Sequence, residues 1–282
     1  MRKNKKPIKI LTMIRKTLMY LMLGVGAVIT IFPFYYMLVL STKSREEIFS
    51  FPPPLWFGTK FFDNLHILLE KMPIFKALWN SVFVAGSQTI LVLFFCSMGG
   101  YAFAKYKFKG KEALFSAMLA TMMIPQLLSI IPWFIMMRHF GWINTFKPLI
   151  IPMIANPFGI FLMRQFMEGI PDSIIDAARI DGAGEFRIFW KIVLPISLPA
   201  LGTLGIFTFL GSWNQFLQAM LILQEKEMYT LPVALSKLAG KAASNWGASM
   251  VGTVIGTLPV VIIFIFASKQ FIAGMTAGAT KE

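Results

Sequence analysis

Residues 176–195 read Asp-Ala-Ala-Arg-Ile-Asp-Gly-Ala-Gly-Glu-Phe-Arg-Ile-Phe-Trp-Lys-Ile-Val-Leu-Pro. The stretch is charged, yet it lies between two long apolar runs. Ser173, followed three residues later by Asp176, fits a capping box that opens a helix. Gly182 fits the stop of that helix, because glycine enters the left-handed conformation without a Cβ clash. A second helix can start at about Gly184 and must end near Pro195, which lacks a donor and clashes with the preceding turn. Ala177 and Ala178 keep the first helix nearly smooth, so that a partner's groove can approach its backbone. The other reading is a helix-turn-helix lying on the bilayer, which Ile174, Ile175 and Phe186 serve equally well.

The flanking runs set the class. Of 282 residues, 56% are hydrophobic and 14% charged, and the mean hydropathy is +0.67. Soluble domains carry about 25% charged residues, so an all-α integral membrane protein is expected. Charge-free runs cover 17–40, 77–104, 113–137, 148–163, 192–224 and 242–268. Crossing the hydrocarbon core takes about 20 apolar residues. Five runs suffice, and the fourth does so if its helix continues past Arg164 to about Phe166, with the guanidinium snorkelling. Six transmembrane helices follow. The first run is longer than the apolar core of a signal peptide and no small-x-small site follows it, so 17–40 reads as a retained span. Residues 8–18 alternate Lys9, Arg15 and Lys16 with Ile10, Leu11, Ile14 and Leu18, which predicts an interfacial elbow helix within the basic tail 1–16.

Punctuation refines this plan. In the loop 41–76, Phe51-Pro52-Pro53-Pro54 is stiff and extended, and the next helix is expected to start near Asn80-Ser81. Pro125, Pro132, Pro152 and Pro157 predict kinked helices around a path. Gly252 and Gly256 stand four apart, a small-xxx-small packing signal. Cys96 sits mid-run and reads as a small hydrophobe. Residues 77–268 form a five-span core, 269–282 a C-terminal tail, and one domain is the simplest organisation.

Basic residues orient the chain. Segments 1–16, 105–112, 164–191 and 269–282 hold 17 of the 27 Lys and Arg; 41–76, 138–147 and 225–241 hold the other 10. The first set is therefore cytoplasmic, with both termini inside. The net charge of +14 is spread over separated loops, so anionic headgroups rather than nucleic acid are the expected neighbours.

Several chemistries are missing. No G-x-x-x-x-G-K-[ST] phosphate loop occurs, so ATP must be hydrolysed by another chain. His66 and His139 lie apart in outer segments and read as solvated. The spans hold no charge away from their ends, which argues against an ion-coupled carrier or a membrane enzyme. Neutral polar residues do occur there: Asn80, Ser81, Ser87, Gln88, Asn156, Ser212, Trp213, Asn214 and Gln215. Asn80, Asn156, Trp213, Asn214 and Gln215 are the candidates for a substrate path, since a sugar wants amide partners and aromatic faces. Interhelical hydrogen bonding is the alternative for each.

The pattern Asp176-Ala177-Ala178, three residues, Gly182, nine residues, Ile192-x-Leu194-Pro195 resembles the EAA loop of bacterial ABC-importer permeases, except that Asp176 replaces Glu. Asn80-Ser81-Val82-Phe83-Val84-Ala85, Tyr101-Ala102-Phe103-Ala104, Pro157–Phe166, Trp213–Leu217, Thr230-Leu231-Pro232 and Met275–Glu282 are similar to the carbohydrate branch of these permeases. The likeness is greatest to the smaller, six-span permease subunit of maltose-type importers. It implies a sugar-importing subunit of the bacterial inner membrane, paired with a second, larger permease that holds most of the sugar. It further implies two ATPase subunits carrying ATP and Mg, and an extracytoplasmic solute-binding protein. The coupling loop 170–195 would present Ser173, Asp176, Ala177, Ala178, Asp181, Gly182, Glu185 and Phe186 to the ATPase, and the matching family tail reaches into the ATPase interface. No cofactor is expected on this chain itself. A non-transporting membrane scaffold that docks an ATPase is the other reading of the same loop.

Overall fold

The computed structural model describes the backbone of residues 6–241 and 245–277, and side chains within 12–238 and 245–266. The described chain is helical throughout, without a strand. Four segments are long and apolar enough to cross a membrane: Thr12–Ser41, Ile74–Lys105, Lys147–Glu168 and Trp246–Phe266. Two bent pairs add two more crossings if each is one span: Lys111–Thr121 with Gln126–His139, bent by 88°, and Glu185–Ile196 with Leu198–Trp213, bent by 78°. Each of the six charge-free runs falls on one of these segments. Pro125 lies in the first break and Pro195 just before the second, where a missing donor and a ring clash prevent a straight helix.

Where one domain is expected, the contacts resolve into two compact units, one of residues 1–71 with 239–255 and one of 72–238 with 256–282. In the first unit, helix α1 runs unbroken over Lys6–Ser41. No elbow is set apart from the span. Pro7 is in the first turn, and nothing between it and Gly24 breaks a helix. At about 1.5 Å per residue the helix far exceeds the hydrocarbon thickness, and its side chains from Thr12 to Phe34 are all exposed, as a span facing lipid or a partner requires. Its end is fastened by Asn64 of α2 (Phe61–Lys71), whose Nδ2 donates to the carbonyls of Ser41 and Lys43 at 2.9 and 3.0 Å. The Ser41 carbonyl belongs to the last turn, where no later turn supplies a backbone donor, and Lys43 lies just beyond it. A capping box of Ser44 and Glu47 opens a single turn at Arg45–Ile48, so the loop 41–76 has some structure of its own.

The second unit is built on α3, Ile74–Lys105. This helix begins at Ile74, not near Asn80-Ser81. The sequence expectation followed the charge-free run, but Lys76 is exposed in the first turn and costs the helix nothing. Asn80 and Ser81 instead clasp a distant segment. Asn80 Nδ2 donates to the carbonyls of Glu227 and Tyr229 at 2.8 and 3.0 Å, and Ser81 Oγ accepts from the Leu231 amide at 2.8 Å.

After α4 (Lys111–Thr121) and α5 (Ile130–His139) comes α6, Pro157–Glu168, which crosses α3 closely. A Cβ on Gly100 would lie 2.8 Å from the Arg164 amide nitrogen, and one on Gly159 would lie 2.8 Å from Cys96 Sγ. The thiol packs as a small hydrophobe, fully buried. Arg164 does more than snorkel. It pairs with Glu168 at 2.8 Å and Glu112 at 3.3 Å, and its guanidinium lies 3.8 Å over the Phe115 ring. His66 and His139 are exposed. Gly256, in the helix Trp246–Ala277, packs on Leu231. The tail 269–282 is helical to Ala277; residues 278–282 lie outside the described residues.

Candidate functional site

Two places gather the candidate residues. The first is the helix-turn-helix of α7 (Asp172–Ile180) and α8 (Glu185–Ile188). Helix α7 starts one residue before Ser173, after Pro171, without a side-chain cap. The expected capping box is absent because Asp172 occupies the first turn and is held from outside. Lys105 Nζ lies 2.7 Å from its carboxylate and 2.5 Å from the Ile170 carbonyl. Ser173 is therefore an exposed first-turn residue, and Asp176 lies mid-helix, paired with Arg179 at 3.0 Å.

The stop at Gly182 is as expected. Its φ is +79°. Gly182 N–H bonds to the Arg179 carbonyl at 3.0 Å and Ala183 N–H to that of Ala178 at 2.9 Å, the paired bonds of a Schellman motif. Asp181 is the exposed C-cap. The second helix opens at Gly184, passes through a π-helical stretch at Phe189–Val193 and ends at Ile196.

The two alanines part company. Ala177 is exposed, whereas Ala178 is packed with Ile175, Ile188, Phe189, Met163 and Met167 in the chain's own core. Positions 175 and 178 stand three apart, on the inward face, so only Ala177 is free to meet a groove. Ile180 is 86% exposed and Phe186 66%. Ala177, Ile180 and Phe186 are thus exposed apolar residues of the helix-turn-helix, with the exposed Asp176 and Asp181 near them in sequence.

Glu185 fastens the helix-turn-helix. Its carboxylate accepts from Arg179 Nε at 2.7 Å and from the Tyr106 hydroxyl at 2.6 Å, with Tyr101 farther at 3.4 Å. Arg179 first and Tyr106 next hold the Glu185 carboxyl below its ordinary 4.5; Lys105 does the same for Asp172. A depressed carboxyl stabilises the fold above its unfolded pKa and loses that contribution as pH falls through the lowered folded value. Acidification below about pH 4 should therefore loosen α8 from α7. Glu185→Gln should do so at neutral pH, read as a few-fold faster amide hydrogen exchange over residues 185–188. Unchanged exchange in that variant would remove Glu185 from this role. The sequence singled out Glu185 but not Arg179, Tyr106 or Lys105, because partners six to 79 residues away leave no local pattern.

The second place is a cavity of about 500 Å³. Asn156, Asn214 and Gln215 line it, as do Gln88, Ser212 and Gln218. Asn156 also N-caps α6, accepting from Gly159 N–H at 3.1 Å. Asn214 C-caps α9 (Leu198–Trp213). Two proposed path residues lie elsewhere. Asn80 is spent on its clasp, and Trp213 is buried with its ring stacked on Phe209 at 5.6 Å. Its indole is apolar filling between helix neighbours four apart. Gln126 and Gln218, which the sequence did not single out, also line the cavity. Gln126 opens a 3-10 turn after the Pro125 break and Gln218 lies in α10 (Leu217–Ile222), so neither belongs to a regular span whose polar positions stand out.

Comparison with known proteins agrees with these features. The family model described as the binding-protein-dependent transport system inner membrane component matches residues 96–276. The chain is 37% identical over 268 residues to the arabinooligosaccharides transport system permease protein AraQ of Bacillus subtilis (strain 168), with 94% of each chain covered. It is 32% identical to the lactose transport system permease protein LacG of Rhizobium radiobacter, covering 91% of this chain and 93% of that one. A solved bacterial ABC transporter involved in the import of the acidic polysaccharide alginate matches with a TM-score of 0.78 at 25% identity, over 96% of this chain and 100% of that one. The chain is a multi-pass inner-membrane transport component and not an enzyme. By its matched residues, its helices and its relatives, it belongs to the family of binding-protein-dependent transport system inner membrane components.

Proposed function

We propose that the chain is the permease subunit of an ABC importer that carries a sugar across the bacterial inner membrane. It works beside a second, larger permease subunit and takes its cargo from an extracytoplasmic solute-binding protein. Two ATPase subunits hold ATP and Mg, and one of them docks on its helix-turn-helix. The observation that carries this reading is the exposure of the apolar Ala177, Ile180 and Phe186 on two short helices that Glu185, Arg179 and Lys105 fasten to the end of α3. Exposed apolar side chains on a rigid support suit a helix entering a partner's groove. Ser173, Asp176 and Asp181 supply the polar rim and Gly182 the turn. ATP-driven closure of the ATPase pair would move this element as a body, and the helices around the cavity would rock with it. The named relatives, for arabinooligosaccharides and lactose, support a sugar as cargo.

The reading is tested on the complex purified from membranes through a tag on this chain. A second permease and an ATPase should co-purify, and hydrolysis should rise when saccharide-loaded binding protein is added. Hydrolysis that ignores the loaded binding protein would favour a docking scaffold.

Basic-residue bias supports cytoplasmic termini, and labelling tests it. The exposed Thr59 and Lys109 are suitable positions. In a Cys96→Ala background, Thr59→Cys should react with an impermeant reagent added outside, and Lys109→Cys only after the membrane is opened. Equal reaction of both from outside overturns this orientation.

A further inference from the structure

The segment 48–59, between α1 and α2, carries no charged residue, whereas Arg45, Glu46 and Glu47 stand just before it and Lys60 just after. Its large apolar side chains are not covered by the chain: Phe51 is 96% exposed and Trp56 79%. An exposed apolar patch marks a surface that something else covers.

Two sets of contacts place the segment at the level where spans leave the hydrocarbon. The first is with α1. The Tyr35 hydroxyl donates to the Leu55 carbonyl at 2.5 Å, and the Phe57 ring meets Tyr35 edge-on with centroids 5.8 Å apart. Tyr35 stands six residues before the end of α1 at Ser41, which is about 9 Å back along the helix axis. From that level the chain climbs to the helix end. Gly58 N–H donates to Thr42 Oγ1 at 2.7 Å, and Lys60 N–H to the Thr42 carbonyl at 2.9 Å. Leu55, Trp56 and Phe57 therefore lie alongside the last turns of a membrane span, not beyond its end. The span is itself aromatic here, with Phe32 stacked on Tyr36 at 5.8 Å. The second contact is with another span. Phe49 meets Trp246 edge-on at 5.7 Å, and Trp246 is the first residue of the apolar segment Trp246–Phe266.

The residue types suit that depth. Tryptophan and tyrosine favour the membrane–water boundary, where the ring is half in hydrocarbon and the polar atom stays wet. Backbone that approaches hydrocarbon is costly wherever an N–H loses its partner. Pro52, Pro53 and Pro54 have no N–H to lose, and the Leu55 carbonyl is already paired with Tyr35. A soluble protein is the other candidate cover, but it would have to reach down past the end of α1 into space that lipid occupies. We propose that the segment 48–59 is a bilayer anchor. Leu55, Trp56 and Phe57 sit at the boundary between headgroups and acyl chains at this end of α1. They set the height of a span whose length exceeds the hydrocarbon core and so does not fix its own position.

The experiment uses the complete complex in vesicles of phosphatidylethanolamine and phosphatidylglycerol. This chain carries Cys96→Ala, and its partner subunits are free of cysteine. An environment-sensitive fluorophore is attached at Leu55→Cys, Trp56→Cys or Thr59→Cys in turn. Thr59 is the control, exposed and following Gly58, which bonds at the level of Thr42. Quenching is measured with acyl-brominated lipid and with iodide in the water. Labels at 55 and 56 should be quenched by brominated lipid about twofold or more above the label at 59, and by iodide less, as befits a position at the acyl boundary. Both sites are on the surface, so neither label needs the core to rearrange. Equal quenching of all three labels by either agent overturns the anchor. So does shielding of 55 and 56 from iodide that appears only when the solute-binding protein is added, since that protein would then be the cover.

Discussion

Replacing Ala177 with tryptophan is expected to leave the helix-turn-helix folded and to disrupt its docking, whereas Ala178→Trp is expected to damage the fold itself. The neighbours at 177 and 178 differ in kind. Ala177 faces outward beside Ile180, so an indole there protrudes into the space a partner's groove must occupy. Overfilling a packed contact costs about 1–3 kcal/mol, equivalent to roughly 5- to 150-fold weaker association. Folding should change by no more than about 0.5 kcal/mol, as at other surface positions. Ala178 is buried in one cluster with Ile175, Ile188 and Phe189, so the same cost of about 1–3 kcal/mol falls on its stability. Thermal unfolding of the isolated chain in detergent separates the outcomes. Ala178→Trp should melt earlier and Ala177→Trp at the wild-type temperature, with only the second losing ATPase association from a well-folded state. If both variants melt and associate as wild type does, the inward and outward assignment of the two alanines fails.

The crossing of α3 and α6 should be equally intolerant of bulk. At Gly100 a Cβ would come 2.8 Å from the Arg164 amide nitrogen and 2.9 Å from the Met163 carbonyl carbon. Both are backbone atoms, which cannot swing aside as a side-chain end can. Gly100→Leu must therefore push the helices apart, at a cost of about 3 kcal/mol, the upper end for overpacking. It also disturbs Arg164, whose pairs with Glu112 and Glu168 depend on the position of α6. Gly86 is the control on the same helix, since a Cβ there meets nothing within 4 Å. Gly86→Ala should leave the melting temperature unchanged or raise it slightly, because alanine loses less backbone entropy in a helix. Comparable melting of Gly100→Leu and wild type would contradict the close crossing.

Much of the molecule was legible before its structure, and the pattern of misses has a physical cause. Charge-free length found the six crossing segments because the hydrocarbon core sets length and polarity together. Gly182 was legible because a left-handed residue at a helix end is a local requirement. Signals that depend on one residue's distant neighbours were not. Ser173 looked like a cap because Asp176 follows at the right interval, yet Lys105, remote in sequence, fixes Asp172 and moves the helix start. Ala177 and Ala178 look identical in sequence, and only packing against Met163 and Met167 separates them. In the cavity, Asn156, Asn214 and Gln215 were found through their polarity. Asn80 has the same polarity but spends its amide on two carbonyls about 150 residues away. Gln88 and Ser212 were noticed and assigned to interhelical bonding; that Gln88 Oε1 and Ser212 Oγ are buried without a partner could be seen only once their surroundings were built. The elbow before the first span failed for a different reason. Basic residues mark where a helix leaves the bilayer, but they do not break it.

The central claim is that this chain translocates a saccharide when ATP hydrolysis by its partners moves the helix-turn-helix. The most direct measurement is uptake of a labelled neutral oligosaccharide, arabinotriose or lactose, into proteoliposomes that hold the complete complex, with its binding protein outside and ATP inside. The account predicts accumulation that requires ATP, the binding protein and an intact Ala177 surface together. Accumulation that persists without ATP, or a complex that hydrolyses ATP in response to the loaded binding protein while no saccharide enters, would contradict it.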